Sequence, residues 1–417
     1  MALDIRNVAD DPDAAKAWMY AAGYGFLRPH RPSPESVRTR LKEQDLSRAL
    51  GVFDGPRCVA TYRSFPQELT VPGGAPLTAN AVSAVTVTAP YRRQGLVRRF
   101  IERDLAEAKE RGDAVATLVA SEYRIYGRFG FGPATSYSTW RVTASRSGVT
   151  ARTAAEAAGD GSVTLTDAAE IREIGPGLHD AYRRAQPGAI SRDELWWRLY
   201  TGEVSFGGPY LEPYFAVYRD ASGQPQGMAS FTVEEKSEVG TQPTDVAKVS
   251  GFLATTPQAE RALWHLLISL DWMETVDSGS CPPDALLPDL LPDPRAARLT
   301  TRGDFLWLRP LDLPRMLAAR TYAVPGRLVL DVTDPLGLAG GRVLLEADET
   351  GEARCVPTGQ EPDLALTTGA LSRLYLGEEP ASRLAALGLV SEERAGALAR
   401  ADLMLRTARR PFCLDIF

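Results

Sequence analysis

The sequence predicts an α+β/α/β chain of three units, the first two of one design and the third of another. Three observations predict it. An extended run, Ala81 to Val87, alternates small and β-branched residues and leads through Pro90 and a basic turn into a helical pattern. After residues 144–162, rich in Ala, Gly, Ser and Thr, the order of helices, strands, proline and helix returns. From about Leu313 the pattern changes to short strands between helices. At 417 residues the chain has the length of about three domains.

The first unit opens with a short strand, Leu3 to Val8. Asp10 or Asp11 caps a helix through Trp18, with Pro12 in its first turn. The stretch R-P-H-R-P-S-P is a loop, and Ser33 before Pro34 starts a helix through Leu41. Strands follow at Ala49 to Phe53 and Cys58 to Ser64, with a turn at residues 72–76 before the run ending at Val87. The next helix reaches about Arg111, because Leu96, Val97, Phe100, Ile101, Leu105 and Ala108 recur at helical spacing. Ala114 to Ala120 is a second apolar strand, and Ser136 to Val142 reads as the strand that closes this unit. Residues 144–162 read as a linker or surface hairpin.

In the second unit, helices near Leu178 to Arg184 and Asp193 to Tyr200 precede strands Tyr214 to Tyr218, Met228 to Val233 and Val246 to Ala254. A helix from Pro257 to Leu270, a proline-rich loop from Cys281 to Pro294 and a closing strand at Phe305 to Leu308 complete it. The third unit starts with a helix at Pro314 to Tyr322. Strands follow at Arg327 to Val332, Arg342 to Ala347, Ala353 to Val356 and Leu364 to Thr367, then helices at Gly369 to Leu376 and Ser391 to Leu403.

Chemistry concentrates between Val85 and Thr135. A strand feeding a basic, glycine-bearing turn at a helix N-terminus makes a phosphate cradle, since the first amides of the helix lack internal partners and its dipole is positive there. Gly95 allows close backbone approach, and Arg92, Arg93 and Arg98 add charge. From the turn alone, solvated arginines on an ordinary strand-to-helix connection are the better reading. The downstream block, Tyr126-Gly127-Arg128-Phe129-Gly130-Phe131-Gly132-Pro133-Ala134-Thr135, changes that balance.

The stretch resembles motif A of the GNAT superfamily of acyl-CoA N-acetyltransferases, whose turn reads Q/R-x-x-G-x-G/A. Arg92, Arg93, Gln94, Gly95, Leu96 and Val97 match it, with Val97 where glycine or alanine is usual. It is also similar to the narrower enhanced-intracellular-survival (Eis) family, through V-x-V from Val85 to Val87, R-R-Q-G-L from Arg92, A-S-E from Ala120 and I-Y-G-R-F-G-F-G-P-A-T from Ile125. Val119, Tyr123 and Arg124 depart from the small, histidine-bearing or glycine residues usual there, which bears on the acceptor pocket.

The resemblance implies tandem GNAT-like domains, each a mixed central sheet flanked by helices, and a C-terminal sterol-carrier-protein-like domain. The expected division is 1–150 with the acetyl-CoA site, 151–312 without the cofactor motif, and 313–417, whose C-terminus completes the active site. When Pro257 is aligned with Pro90, Ala259 and Glu260 replace Arg92 and Arg93, and Ala262 replaces Gly95. The resemblance further assigns acetyl-CoA as co-substrate. The Val87 amide, with Val85 and Thr86 beside it, would polarise the thioester, and the amides from Arg93 to Arg98 would hold pyrophosphate. Ser121 and Glu122 would flank the pantetheine. Tyr126, with a reference pKa of about 10, would donate a proton to the leaving thiolate. The α-carboxylate of Phe417 would be the base, although its reference pKa of about 3.5 is low for that task unless burial raises it. The family also implies a homo-oligomer, a hexamer built from dimers.

The net charge of −6 argues against a nucleic-acid binder and suits a cationic acceptor. Cys58, Cys281, Cys355 and Cys413 show no C-x-x-C spacing and read as reduced packing residues. His30, His179 and His265 show no ligand spacing, so no metal is expected. Neither a basic, apolar N-terminal leader nor an apolar run of about 20 residues is visible, which predicts a cytoplasmic protein without a membrane span. The ending R-P-F-C-L-D-I-F is apolar for a chain end, and Phe412, Leu414, Ile416 and Phe417 are expected to anchor it by burial. Two functions remain open from sequence. One is N-acetylation of primary amines on aminoglycoside-like or lysine-type acceptors. The other is a non-catalytic acyl-CoA-bound or lipid-carrying module.

Overall fold

A computed structural model describes residues 3–27, 32–238, 241–242 and 244–417. Part of the expected proline-rich loop, residues 28–31 with His30, lies outside them.

The first part runs β1 (Asp4–Asn7), α1 (Pro12–Gly25), α2 (Pro34–Glu43), β2 (Ala49–Asp54), β3 (Arg57–Thr70), β4 (Pro76–Val87), α3 (Leu96–Glu110), β5 (Val115–Val119), α4 (Tyr123–Tyr126), β6 (Gly132–Pro133) and β7 (Ser136–Thr143). Both early helices start at the expected caps. The Asp11 carboxylate accepts from the amides of Asp13 and Ala14, at 3.1 and 3.0 Å, and Ser33 Oγ accepts from Ser36 at 3.1 Å. α1 continues past Trp18 because Met19 and Ala21 extend its buried face.

The second part contains α5 (Ala151–Ala158), β8 (Ser162–Thr166), α6 (Ala168–Ala185), α7 (Glu194–Tyr200), β9 (Tyr214–Arg219), β10 (Pro225–Glu234), β11 (Asp245–Ala254), α8 (Pro257–Ile268), β12 (Met273–Asp277), β13 (Ala297–Asp304) and β14 (Leu306–Pro310). The expected linker therefore includes a helix. Its alanines are the strongest helix formers, and Thr150 with Thr153 closes a capping box. The helix expected near Leu178 extends back to Ala168 through Gly175-Pro176-Gly177. Gly175 belongs there because a Cβ would stand 2.4 Å from the Trp197 ring.

The two strands expected to close the first and second units are exchanged. The first sheet has the order β1-β2-β3-β4-β5-β14-β6, and the second β13-β7-β12-β11-β10-β9-β8. Burial explains the exchange. β14 reads Leu-Trp-Leu-Arg-Pro and is buried along its whole length, as an interior strand covered on both faces must be. β7 alternates buried Ser136, Ser138 and Val142 with more exposed residues, and fits between β12 and β13.

The third part contains α9 (Leu313–Ala319), β15 (Gly326–Thr333), β16 (Gly341–Ala347), β17 (Ala353–Pro357), β18 (Leu364–Thr367), α10 (Thr368–Tyr375), α11 (Ala381–Ala386), β19 (Val390–Glu392) and α12 (Ala397–Leu405). Its sheet has the order β17-β16-β15-β18-β19. Leu328, Leu330 and Leu345 share one buried cluster with Leu69, Leu77 and Leu306 of the first sheet, so this part shares its apolar core with the first. An ion pair joins them as well. Arg309 on the exchanged β14 donates to both oxygens of Asp334, at 2.8 and 2.9 Å, and both side chains are fully buried. Asp334 also accepts from the amides of Leu338 and Ala339, at 2.6 and 2.7 Å.

Removing one partner of such a pair leaves an uncompensated buried charge. Asp334→Ala is therefore expected to lower the unfolding free energy by about 3–5 kcal/mol, read from chemical denaturation. A loss below about 1 kcal/mol would show that the pair does not help hold β14 in place.

Candidate active site

The site begins where β4 and β5 part. They pair in parallel only from Ala79–Val82 to Val115–Leu118, after which β5 goes on pairing with β14 through Val119. Ser83 to Val87 thus leave β5 while staying bound to β3. A bulge turns them. Thr61 faces Thr86 and Arg63 faces Ser83, so Ala84 and Val85 together oppose Tyr62, and Ala84 adopts φ +52°. The Thr61 hydroxyl secures the bulge at 2.7 Å from both the Ala84 carbonyl and Thr86 Oγ1. The Thr88 amide bonds to the Val59 carbonyl of β3 at 2.9 Å. Strand alternation therefore turns the Val87 amide to the open edge facing β5.

Beyond Pro90 the chain makes the basic turn. Arg93 and Gly95 have φ +64° and +77°, left-handed conformations that aim neighbouring amides into one concavity. A Cβ on Gly95 would meet no atom within 4 Å, so the concavity is open. Gly95 is the N-cap of the 15-residue α3 and supplies no side-chain acceptor to its first amides. Arg92, Arg93 and Gln94 are exposed around it, while Arg98 is drawn to Glu102 at 3.2 Å. Leu96 is buried and Val97 packs against the Phe100 cluster, so the branched residue at the unusual position belongs to the core. These features fit a diphosphate ester: uncapped amides, an open glycine and free arginine charge.

Asp104, on the inner face of α3, fixes the helix to the sheet. It accepts from Tyr62 Oη at 2.7 Å, Ser64 Oγ at 2.5 Å and Asn80 Nδ2 at 2.6 Å. An acidic residue inside an apolar stripe gives no sequence signal of this kind.

Tyr126 ends α4 and is only 8% exposed, with Phe131 edge-on at 6.1 Å. Its hydroxyl has no hydrogen-bond partner among the described residues. Burial first, and then the charge of Glu122, pushes its pKa up to about 12. Ser121 and Glu122 are exposed at the end of β5, across the opening from β4. Tyr123 faces elsewhere: its ring lies edge-on to Trp307 at 4.9 Å, and its hydroxyl accepts from Arg373 at 2.5 Å.

The chain end reaches the first sheet. Phe417 is half-buried, with its ring edge-on to Phe65 of β3 at 5.8 Å. Its anchors differ from those expected. Phe412 and Cys413 are buried as an apolar anchor should be, but Ile416 is 75% exposed and Asp415 is buried in its place. Arg192 Nη2 lies 2.8 Å from Asp415 Oδ1, and His179 Nε2 lies 3.8 Å from Oδ2. Burial opposes charge on Asp415, yet Arg192 and His179 together hold its pKa below the usual carboxylate value. These partners stand far apart in the chain, and no spacing could have linked them.

The second sheet is built differently at the corresponding place. α8 starts at Pro257 itself, whereas α3 starts only after the turn that follows Pro90. Thr256 Oγ1 accepts from the Ala259 amide at 3.1 Å and caps that helix. Ala262 is thus a buried position inside α8 and no counterpart of Gly95, which corrects the alignment made on the prolines. Among the described residues, no group of three or more His, Cys, Asp or Glu side chains could hold a metal ion, and no helix is long and apolar enough to cross a membrane.

A negative side chain in the open concavity should exclude a diphosphate. Gly95→Asp is expected to abolish measurable acetyl-CoA binding by calorimetry. Tm should fall only slightly, since the left-handed backbone strains a non-glycine residue by about 1–2 kcal/mol. Near-normal affinity would remove the turn from the binding site.

Comparison with known proteins identifies the domains of the chain. Residues 4–134 match the family model of an acetyltransferase (GNAT) domain, residues 188–310 match a second GNAT model, and residues 313–414 match a sterol carrier protein domain. A protein of Streptomyces griseus subsp. griseus named "Uncharacterized N-acetyltransferase" is 49% identical, covering 100% of both chains. The N-acetyltransferase Eis of Mycobacterium tuberculosis (strain ATCC 25177 / H37Ra) is 35% identical, covering 84% of each chain. The crystal structure of Eis1 from Mycobacterium abscessus is similar with a TM-score of 0.82 and 29% identity, over 99% of this chain and 100% of that one. The chain belongs to the Eis family of GNAT N-acetyltransferases, an acetyltransferase with tandem GNAT domains followed by a sterol-carrier-protein-like domain.

Proposed function

We propose that this chain transfers the acetyl group of acetyl-CoA directly to a primary amine, with Tyr126 as general acid and the Phe417 α-carboxylate as general base. The acceptor is an aminoglycoside-like polyamine or a lysine-type side chain. The observation that carries the reading is that two groups the chemistry needs both lie at the first sheet. Phe417 rests on Phe65 of β3, next to the bulged β4, and a buried tyrosine keeps an uncommitted hydroxyl after β5.

The acceptor arrives as an ammonium ion and must lose a proton before its nitrogen can attack. Phe417, directly or through one water, takes that proton. The nitrogen lone pair forms a bond to the thioester carbonyl carbon, whose oxygen is stabilised by the open Val87 amide. The C–S bond breaks, the thiolate takes the proton of Tyr126, and the amide nitrogen releases its second proton to solvent. Solvent returns a proton to Tyr126 and removes one from Phe417, so the net reaction gives an amide, coenzyme A thiol and one proton. The Arg92 to Arg98 turn holds the pyrophosphate throughout. Ser121 and Glu122 border the pantetheine. The net charge of −6 favours approach of a cationic acceptor. One cofactor site per chain is proposed, since α8 is capped by its own threonine.

The reading is tested by following thiol release from acetyl-CoA with a panel of primary amines. It predicts one acetylated amine per thiol released. Acetyl-CoA binding without transfer to any amine of the panel would overturn the proposed acceptor class.

Tyr126→Phe keeps the ring and removes the proton. Turnover should fall by about 10²–10⁴, with acetyl-CoA affinity nearly unchanged. The pH dependence follows from the raised phenol. An acid with pKa of about 12 retains its proton well above neutrality, so the transfer step should not weaken between about pH 8 and about pH 10. A loss of rate with an apparent pKa near 10 would contradict the assignment.

A further inference from the structure

The buried ion pair two residues before the chain end has no assigned part in acetyl transfer, yet it is built as a fork. Arg192 Nε stands 3.1 Å from each Asp415 oxygen and Nη2 stands 2.8 Å from Oδ1, a forked contact that fixes the carboxylate plane. The Arg192 guanidinium lies over the Trp196 ring at 3.6 Å, and His179 backs the other oxygen. The side chains of Arg192, Asp415 and His179 are 3%, 7% and 5% exposed.

Arg192 ends a segment, residues 186–192, that is held on two sides. Towards β3, the Thr70 amide bonds to the Ala189 carbonyl at 2.8 Å, the Gly188 amide to the Thr70 carbonyl at 2.8 Å and the Ser191 amide to the Glu68 carbonyl at 3.0 Å. Towards the tail, the Phe412 amide bonds to the Pro187 carbonyl at 2.8 Å, and Gln186 Nε2 to the Arg410 carbonyl at 2.9 Å. The same segment is thus bonded to the strand that carries Phe65 and to the chain end that meets Phe65.

An apolar contact would keep the tail in place equally well, since buried ion pairs are weak stabilisers compared with well-packed hydrophobic groups. A fork adds direction. Asp415 lies only two residues, about 7 Å of extended chain, from the terminal carboxylate, so a tilt at Asp415 is passed on to it almost undiluted. We infer that Arg192, braced by Trp196 and His179, is a positioning residue for the transfer step: by orienting Asp415 it sets where the Phe417 carboxylate stands. This rests on the reading of Phe417 as the base.

The test compares three enzymes with the intact chain as reference. Asp415→Asn keeps the shape and removes the charge. The double variant Arg192→Met with Asp415→Leu replaces the fork by an apolar contact and should stay folded. A third enzyme carries a short C-terminal tag. Both latch variants should lose kcat by about 10- to 100-fold, the usual effect of a small misplacement. KM and binding affinity for acetyl-CoA should stay within about two-fold, because the cofactor turn lies elsewhere. A double variant with normal kcat would show that the pair only holds the tail, and would overturn the inference. The tagged enzyme separates the two claims. If it turns over normally, Phe417 is not the base and the inference falls with it. If it is inactive while both latch variants are normal, only the positioning role falls.

Discussion

The structure depends on one clasp, the segment 186–192 held between β3 and the chain end. Its backbone bonds tie it to Glu68 and Thr70, and its last side chain, Arg192, holds Asp415. Through it the first sheet, the second part of the chain and the terminus become one body. Backbone bonds supply the location and the forked ion pair supplies the orientation. Without it, a terminus with Ile416 exposed and Phe417 half-buried would have little to keep it against Phe65.

The exchange of β7 and β14 has the same consequence on a larger scale. Each of the two larger sheets contains a strand from the other part of the sequence, so neither is complete in a contiguous piece of chain. The third part then shares its core with the first and buries Arg309–Asp334 across the junction. Such a body has few soft boundaries, and a terminus proposed to act far along the chain from Tyr126 can be held to a fixed position.

What the sequence revealed and what it withheld follow from distance along the chain. The strand-to-helix turn at Arg92 to Gly95 was legible as structure because its signals are local: a proline before it and a glycine at the start of a helix. The caps at Asp11 and Ser33 were legible for the same reason. The exchanged strands were not, since a strand's sheet is chosen by tertiary burial and both sequences permit a strand. The alanine-rich helix α5 was hidden by its glycine, serine and threonine neighbours, which resemble a linker. Arg192, His179 and Asp415 could not be linked by any spacing rule. The proline alignment misled because it matched Pro90 to Pro257 and overlooked the capping threonine at Thr256, which starts α8 at once.

The base we propose is a backbone carboxylate that the fold delivers to work usually done by a side chain. The most direct measurement replaces only that carboxylate. An enzyme whose Phe417 ends in an α-carboxamide, made by ligating a synthetic C-terminal peptide, retains every side chain and the clasp and lacks only the charge. Catalysis by the terminal carboxylate predicts unchanged acetyl-CoA binding and a single-turnover transfer rate reduced by about 100-fold or more. Transfer at the full rate would contradict it.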